Sequence, residues 1–190
     1  MGIVFIINSL LLGAGLAMDA FSVSLANGLG EPKMSRKKHI LTAGSFAFFQ
    51  FLMPMAGYIL VRTAAERFRL FGKAVPYIAL ILLLFIGGEM LIEGIKGGET
   101  QAVRLTPKKL FVQSIATSID ALSVGFTISG YNAAAALVAS LIIGTVTFFI
   151  CFIGLSIGRK AGSRLSGKAV ILGGCILIFI GLEIFIKSFI

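Results

Sequence analysis

The chain has 190 residues, of which 57% are hydrophobic and only 13% charged, with a formal net charge of +9. An ordinary soluble domain carries roughly 25% charged residues, so this composition excludes a water-soluble fold that hides its apolar surface inside. The excess of positive charge does not mark a nucleic-acid binder either, because the Lys and Arg residues cluster between long apolar blocks.

The blocks are Met1–Asn27, Ile40–Val61, Val75–Ile95, Leu110–Gly130, Ala133–Ile157 and Val170–Ile190. About 20 helical residues cross a hydrocarbon core ~30 Å thick, and a helix satisfies its own backbone groups where no water can. The pattern predicts an all-α, polytopic membrane protein of six transmembrane helices with no soluble domain. The first block lacks a basic n-region, and its apolar run continues past Asp19 instead of ending at a small-residue cleavage site. It therefore reads as a retained span and not as a signal peptide.

Between the spans, Lys33–Lys38, Lys96–Lys109 and Arg159–Lys168 each carry four Lys/Arg. Six spans place these three segments on one side, with 12 Lys/Arg against five on the other. The positive-inside rule then puts the 12 in the cytoplasm and both termini outside. Arg62–Lys73, with four more, lies on the far side and weakens the asymmetry. Cys151 and Cys175 fall inside spans, in no disulfide or CxxC pattern.

The chain repeats itself. Ala17-Met18-Asp19-Ala20-Phe21-Ser22-Val23 aligns with Ser118-Ile119-Asp120-Ala121-Leu122-Ser123-Val124, around the two aspartates of the sequence. Gln50 to Arg62 aligns with Thr147 to Arg159, sharing Phe51/Phe148 and Gly57/Gly154. Phe85-Ile86-Gly87-Gly88-Glu89 aligns with Phe179-Ile180-Gly181-Leu182-Glu183. Residues 1–96 and 107–190 thus form two three-helix repeats joined by a polar linker, 97–106. An odd number of spans per repeat inverts the second against the first, within one bundle. Transporters of this design hold their site near the midplane, where the halves meet.

Asp19, Glu89, Asp120 and Glu183 lie within spans. A charge at mid-bilayer costs at least ~2.5–3.5 kcal/mol on insertion scales, so such residues face a polar interior. Asp19 and Asp120 occupy equivalent positions of the repeat, and no Lys or Arg lies within helical reach of either. Each is either a protonated hydrogen-bonding group between helices or half of a carboxylate pair for a cation. Hard divalent ions favour carboxylate, carbonyl and hydroxyl oxygens. Ser22 and Ser123, three residues on, either add hydroxyl ligands or bond back to their own helix. Gln50 precedes Pro54 by four residues, and the proline removes a helical donor and kinks the span. Asn27 either lines the entrance to the path or ends the first helix. Glu89 shares a face with Glu93, whereas Glu183 has Lys187 at i+4 and reads as an ion pair. Met53 and Met55 read as packing residues and His39 as an interfacial anchor. Gly154, Gly158 and Gly162 read as close helix packing.

At these residues the sequence resembles the bacterial manganese efflux pump family. The resemblance is carried by Met18-Asp19-Ala20-Phe21, Phe49-Gln50-Phe51-Leu52-Met53-Pro54, Gly87-Gly88 with Ile92-Glu93-Gly94, and Ala116-Thr117-Ser118-Ile119-Asp120-Ala121. It implies export of Mn²⁺ through the cytoplasmic (inner) membrane, with Asp19 and Asp120 at the core of the transport site. No phosphate-binding loop is present, and the site calls for no cofactor. Moving a divalent ion out against 100 mV costs ~4.6 kcal/mol, at ~2.3 kcal/mol per charge, and proton antiport is the expected coupling. The alternatives are an exporter of another cation or of amino acids, a membrane enzyme, and a non-transporting structural or interaction protein. Against an enzyme, His39 is the one histidine and no metalloprotease-type motif occurs.

Overall fold

The computed structural model describes residues 2–63 and 105–165, with scattered helical positions between 80 and 95 and between 171 and 186. Only these scattered positions of the third and sixth predicted spans are described, and Glu89, Glu93, Glu183 and most of the linker lie outside the described residues. Among the described residues every regular element is helical. They are α1 (Ile3–Gly30), α2 (Arg36–Thr63), α3 (Pro107–Ala116), α4 (Ile119–Thr127) with a 3-10 turn (Ile128–Gly130), and α5 (Ala133–Leu165).

Helices α1, α2 and α5 are each long and apolar enough to cross a membrane. At ~1.5 Å per residue they exceed the ~30 Å hydrocarbon core. The block expected as one span at Leu110–Gly130 is instead broken: α3 and α4 meet at a 42° bend, and together form a fourth candidate span. Side-chain oxygens bond to the backbone on both sides of the break. Thr117 Oγ1 donates to Gln113 O at 3.0 Å, and Ser118 Oγ donates to Ser114 O at 2.6 Å and Ile115 O at 3.1 Å. Such back-bonding competes with the helical ladder. Asp120 then accepts from Ala121 N at 2.9 Å and opens α4 with an acidic residue in its first turn, where the helix dipole favours it. The equivalent positions of α1, Leu16 and Ala17, carry no side-chain oxygen, and α1 runs through them unbroken.

The helix ends are set by ordinary caps. Thr106 Oγ1 accepts from Lys109 N at 3.3 Å with Pro107 at the first position of α3. Asn132 Oδ1 accepts from Ala135 N at 2.8 Å to start α5. Both use side-chain oxygen to satisfy otherwise orphaned N–H groups.

Two opposite ends of the bundle follow from the contacts. At one, Tyr58 OH donates to Tyr131 O at 3.2 Å and the Phe5 ring meets Tyr131 at 5.5 Å, joining the start of α1, the end of α2 and the α4–α5 turn. At the other, Glu31 pairs with Lys38 (2.8 Å) and accepts from Leu105 N (3.1 Å), while Arg159 Nε donates to Pro32 O (3.2 Å). This Glu31 end gathers the end of α1, the start of α2, the start of α3 and the far part of α5. Helices α1 and α5 consequently run one way, and α2, α3 and α4 the other.

Backbones approach closely where glycine removes the side chain. A Cβ on Gly28 would stand 2.6 Å from Leu155 O and 3.0 Å from Gly158 Cα, so α1 and α5 touch backbone to backbone. The same close approach, helped by Gly154 against Phe21 and Gly162 against Leu29, fulfils the packing expected of the Gly154–Gly162 series. Gly57 and Gly125 do the same for α2 and α4. Matched positions make matched contacts: Gly57 lies against Leu122 O, and its counterpart Gly154 lies against the O of Phe21, the counterpart of Leu122. Outward faces stay apolar, with Ile3, Val4, Leu11, Leu141, Phe149 and Ile153 exposed. His39, near the start of α2, is buried against α5. Its Nε2 stands 3.1 Å from Phe152 O, and its Nδ1 lies 3.2 Å from Arg159 Nη1. Arg159 reaches inward from α5 and draws the ring with it.

Candidate functional site

Helix α1 and the broken pair α3–α4 carry the two aspartates, yet they make few close backbone approaches to one another. Polar side chains cross the space between them. Gln50, fully buried on α2, donates from Nε2 to Leu16 O at 3.1 Å and to Thr117 O at 3.1 Å. In an unbroken helix Thr117 O would accept from Ala121 N; here Ala121 N bonds Asp120 and the carbonyl turns to Gln50.

One nitrogen therefore joins two carbonyls that hold equivalent positions in the repeat, each three residues before an aspartate. The two oxygens stand no further apart than about twice that bond length. From this junction Asp19 lies a helical turn towards the Glu31 end, because α1 runs that way. Asp120 lies a similar step towards the Tyr131 end, because α4 runs the other way. The side chain of Asp19 is half-buried and that of Asp120 exposed.

Among the described residues, Gln50 Oε1 is buried without a hydrogen-bond partner. Leaving a buried acceptor unmatched costs ~1–3 kcal/mol, which a structural amide would ordinarily avoid. A polar layer continues towards the Glu31 end. Ser45 Oγ and Ser114 Oγ are 2.9 Å apart, and Asn27 and Gln113 exchange hydrogen bonds. Asn27 does not end α1, which continues to Gly30. Ser22 Oγ donates to Met18 O at 3.0 Å, so in this arrangement it bonds back to its own helix. Ser123 is exposed on α4, and Pro54 lies inside α2 one turn beyond Gln50. Glu89 lies outside the described residues, so its relation to these groups does too.

Sequence reasoning missed Gln113, Ser114 and Ser45. The segment from Gln113 to Ser118 places four hydrogen-bonding side chains within six residues of an otherwise apolar block. That density is the signal that would have found the break and the amide. Among the described residues no group of three or more His, Cys, Asp or Glu side chains converges to hold a metal ion.

Comparison with known proteins gives the family. A family profile described as "Putative manganese efflux pump" matches residues 33–185. A protein of Clostridium botulinum (strain Loch Maree / Type A3) is 39% identical over 197 residues, spanning 96% of this chain and 94% of its own. One of Ruminiclostridium cellulolyticum is 40% identical over 181 residues, spanning 94% of each. One of Clostridium perfringens (strain 13 / Type A) is 36% identical over 205 residues, spanning 96% of this chain and 94% of its own. All three carry the family's description with the label MntP. No solved structure matches. With the profile covering most of its length and relatives aligned almost end to end, this chain belongs to the manganese efflux pump (MntP) family.

Proposed function

We infer that the protein is a secondary transporter, not an enzyme, and that it exports Mn²⁺ from the cytoplasm through a site built on Asp19, Asp120 and Gln50. The observation that carries the site is the Gln50 junction, where one buried amide ties together the carbonyls three residues ahead of both aspartates. Family membership supplies the ion. Carboxylate with amide and carbonyl oxygen is a donor set that suits Mn²⁺.

The break between α3 and α4 adds to the electrostatics. The C-terminal end of α3 presents carbonyl dipoles, which favour a cation. Asp120 stands in the first turn of α4, at the positive end of the helix dipole. On the orientation expected from the basic loops, the Glu31 end faces the cytoplasm and both termini lie outside. Lys33, Arg36, Lys37, Lys38, Lys108 and Lys109 all flank that end. The opposed directions of α1 and α4, together with the matched Gly57–Leu122 and Gly154–Phe21 contacts, support two inverted three-helix repeats within six spans. Asp19 one step inside the junction and Asp120 one step outside it would serve successive stages of transfer as the halves rock.

Coupling is read as proton antiport: the carboxylates release the ion to the outside, take up protons and return neutral. Everted membrane vesicles, whose outer surface is the cytoplasmic face, test both parts. Vesicles carrying the protein should accumulate Mn²⁺ when energised with acid inside, and a protonophore should abolish the accumulation. Accumulation that survives the protonophore unchanged removes the antiport. Accumulation of another divalent ion in place of Mn²⁺ would establish a different cation exporter, and none of any ion would favour a structural or interaction protein.

A further inference from the structure

Between the Glu31 end and the Gln50 junction, the space between α1 and α3 is closed by a reciprocal amide pair. Asn27 Nδ2 donates to Gln113 Oε1 at 2.8 Å, and Gln113 Nε2 donates back to Asn27 Oδ1 at 3.2 Å. Both side chains are buried, at 6% and 1% exposure. Their place in the path follows from chain order. Asn27 lies between Asp19 and Glu31 on α1, and Gln113 lies between Leu105 and Thr117 on the other side. Along these two helices the pair stands between the Glu31 end and Gln50.

The pair differs in kind from the contacts that hold the rest of the bundle. Helix α1 meets α5, and α2 meets α4, backbone against backbone at glycines. Helices α1 and α3 make few such approaches. Side chains that can rotate away hold this gap, whereas glycine contacts cannot open without moving whole helices.

We propose that the Asn27–Gln113 pair is the barrier on the Glu31 side of the ion path, parting to admit the cation and lending it two amide oxygens as it passes. The proposal rests on the transport reading above and gives Gln113 a role in it. Closed, each amide donates one N–H to the other and accepts one in return, so the pair holds itself together. It is also neutral. A Lys or Arg in its place would repel a divalent ion, and a carboxylate would hold one and slow its transfer. An entering hydrated cation replaces what the amides lose: its water supplies an acceptor for the freed N–H groups, and the ion itself attracts the two freed oxygens. Opening therefore leaves no buried polar group unmatched. The next polar contacts outward are the Glu31–Lys38 pair and the Glu31 bond to Leu105 N. The first ties the end of α1 to α2 and the second ties it to the segment that leads into α3, so full opening to the surface would part the second as well.

Crosslinking tests the proposal in the full chain. Asn27→Cys and Gln113→Cys are combined in a Cys151→Ala, Cys175→Ala background, and Mn²⁺ accumulation is followed in everted vesicles. A direct disulfide needs Cα atoms about 4.4–6.8 Å apart, closer than two amide-length side chains imply, so a short reversible bis-thiosulfonate is the reagent. It should join the two cysteines, seen as a mass shift, and reduce the initial Mn²⁺ rate at least tenfold. Reduction should restore the rate, and neither single-cysteine variant should respond. Equal rates in joined and reduced protein would overturn the barrier. Failure of the two cysteines to join in membrane-inserted protein would show that the side chains do not meet, and would overturn it as well. A cysteine-free parent that accumulates no Mn²⁺ would instead overturn the transport reading on which the proposal rests.

Discussion

At the scale of single residues, Gln50 is the group whose environment is hardest to explain without a ligand. Both its donor bonds go to backbone carbonyls of different helices, and its own oxygen is left buried without a partner among the described residues. Gln50→Leu keeps most of the volume and removes the bridge, leaving Thr117 O unmatched. The expected result is a loss of ~1–3 kcal/mol in stability and at least a tenfold fall in Mn²⁺ export at equal membrane abundance. Thermal unfolding in detergent and the vesicle assay read the two effects separately; unchanged export would remove Gln50 from the site. The Asn27–Gln113 pair makes a second prediction. Replacing one member by Leu strands the other amide, whereas replacing both strands neither, so the double variant should be less destabilised than the sum of the singles. Additive losses in a double-mutant cycle would mean that the two amides do not interact. Gln50, Asp19 and Asp120 were legible in the sequence because polar residues in an apolar block announce themselves. Gln113 was not: it has no counterpart in the other half, where Leu12 stands at the equivalent position.

At the scale of elements, glycines decide which helices lock together. Gly57→Ala would drive its methyl into Leu122 O and to within 3.0 Å of Gly125 Cα, and Gly28→Ala would meet Leu155 O at 2.6 Å and Arg159 N at 2.9 Å. Backbone cannot swing aside as a side-chain tip can, so either substitution should cost more than ~2 kcal/mol by overpacking. Gly15 and Gly44 are helical glycines with nothing within 4 Å of an added Cβ. Alanine at these two should be neutral or raise stability by ~0.5–1 kcal/mol through helix propensity. Midpoints of thermal unfolding for the four variants test the contrast, and similar losses at all four positions would contradict the packing. Apolar length alone made α1, α2 and α5 readable in the sequence. The division of the Leu110–Gly130 block was not readable from hydropathy, because the block stays apolar on both sides of the bend at Thr117 and Ser118.

At the scale of the whole molecule, the account depends on which end faces the cytoplasm. With native cysteines replaced, Asn132→Cys should react with a membrane-impermeant maleimide in intact cells, and Lys33→Cys only after the membrane is opened; the reverse pattern would invert the topology and make export into import. Two aspartate motifs and Gly57/Gly154 are what the sequence offers for a repeat. The meeting of Leu16 and Thr117 at one amide was not legible there, because it depends on the third dimension. The most direct test of the central claim is intracellular manganese in cells that lack their own exporter and carry this protein or its Asp19→Asn or Asp120→Asn form, at matched membrane abundance. The account predicts low manganese and growth at toxic Mn²⁺ with the parent, and accumulation with arrest in both variants. Full protection by both variants would contradict it.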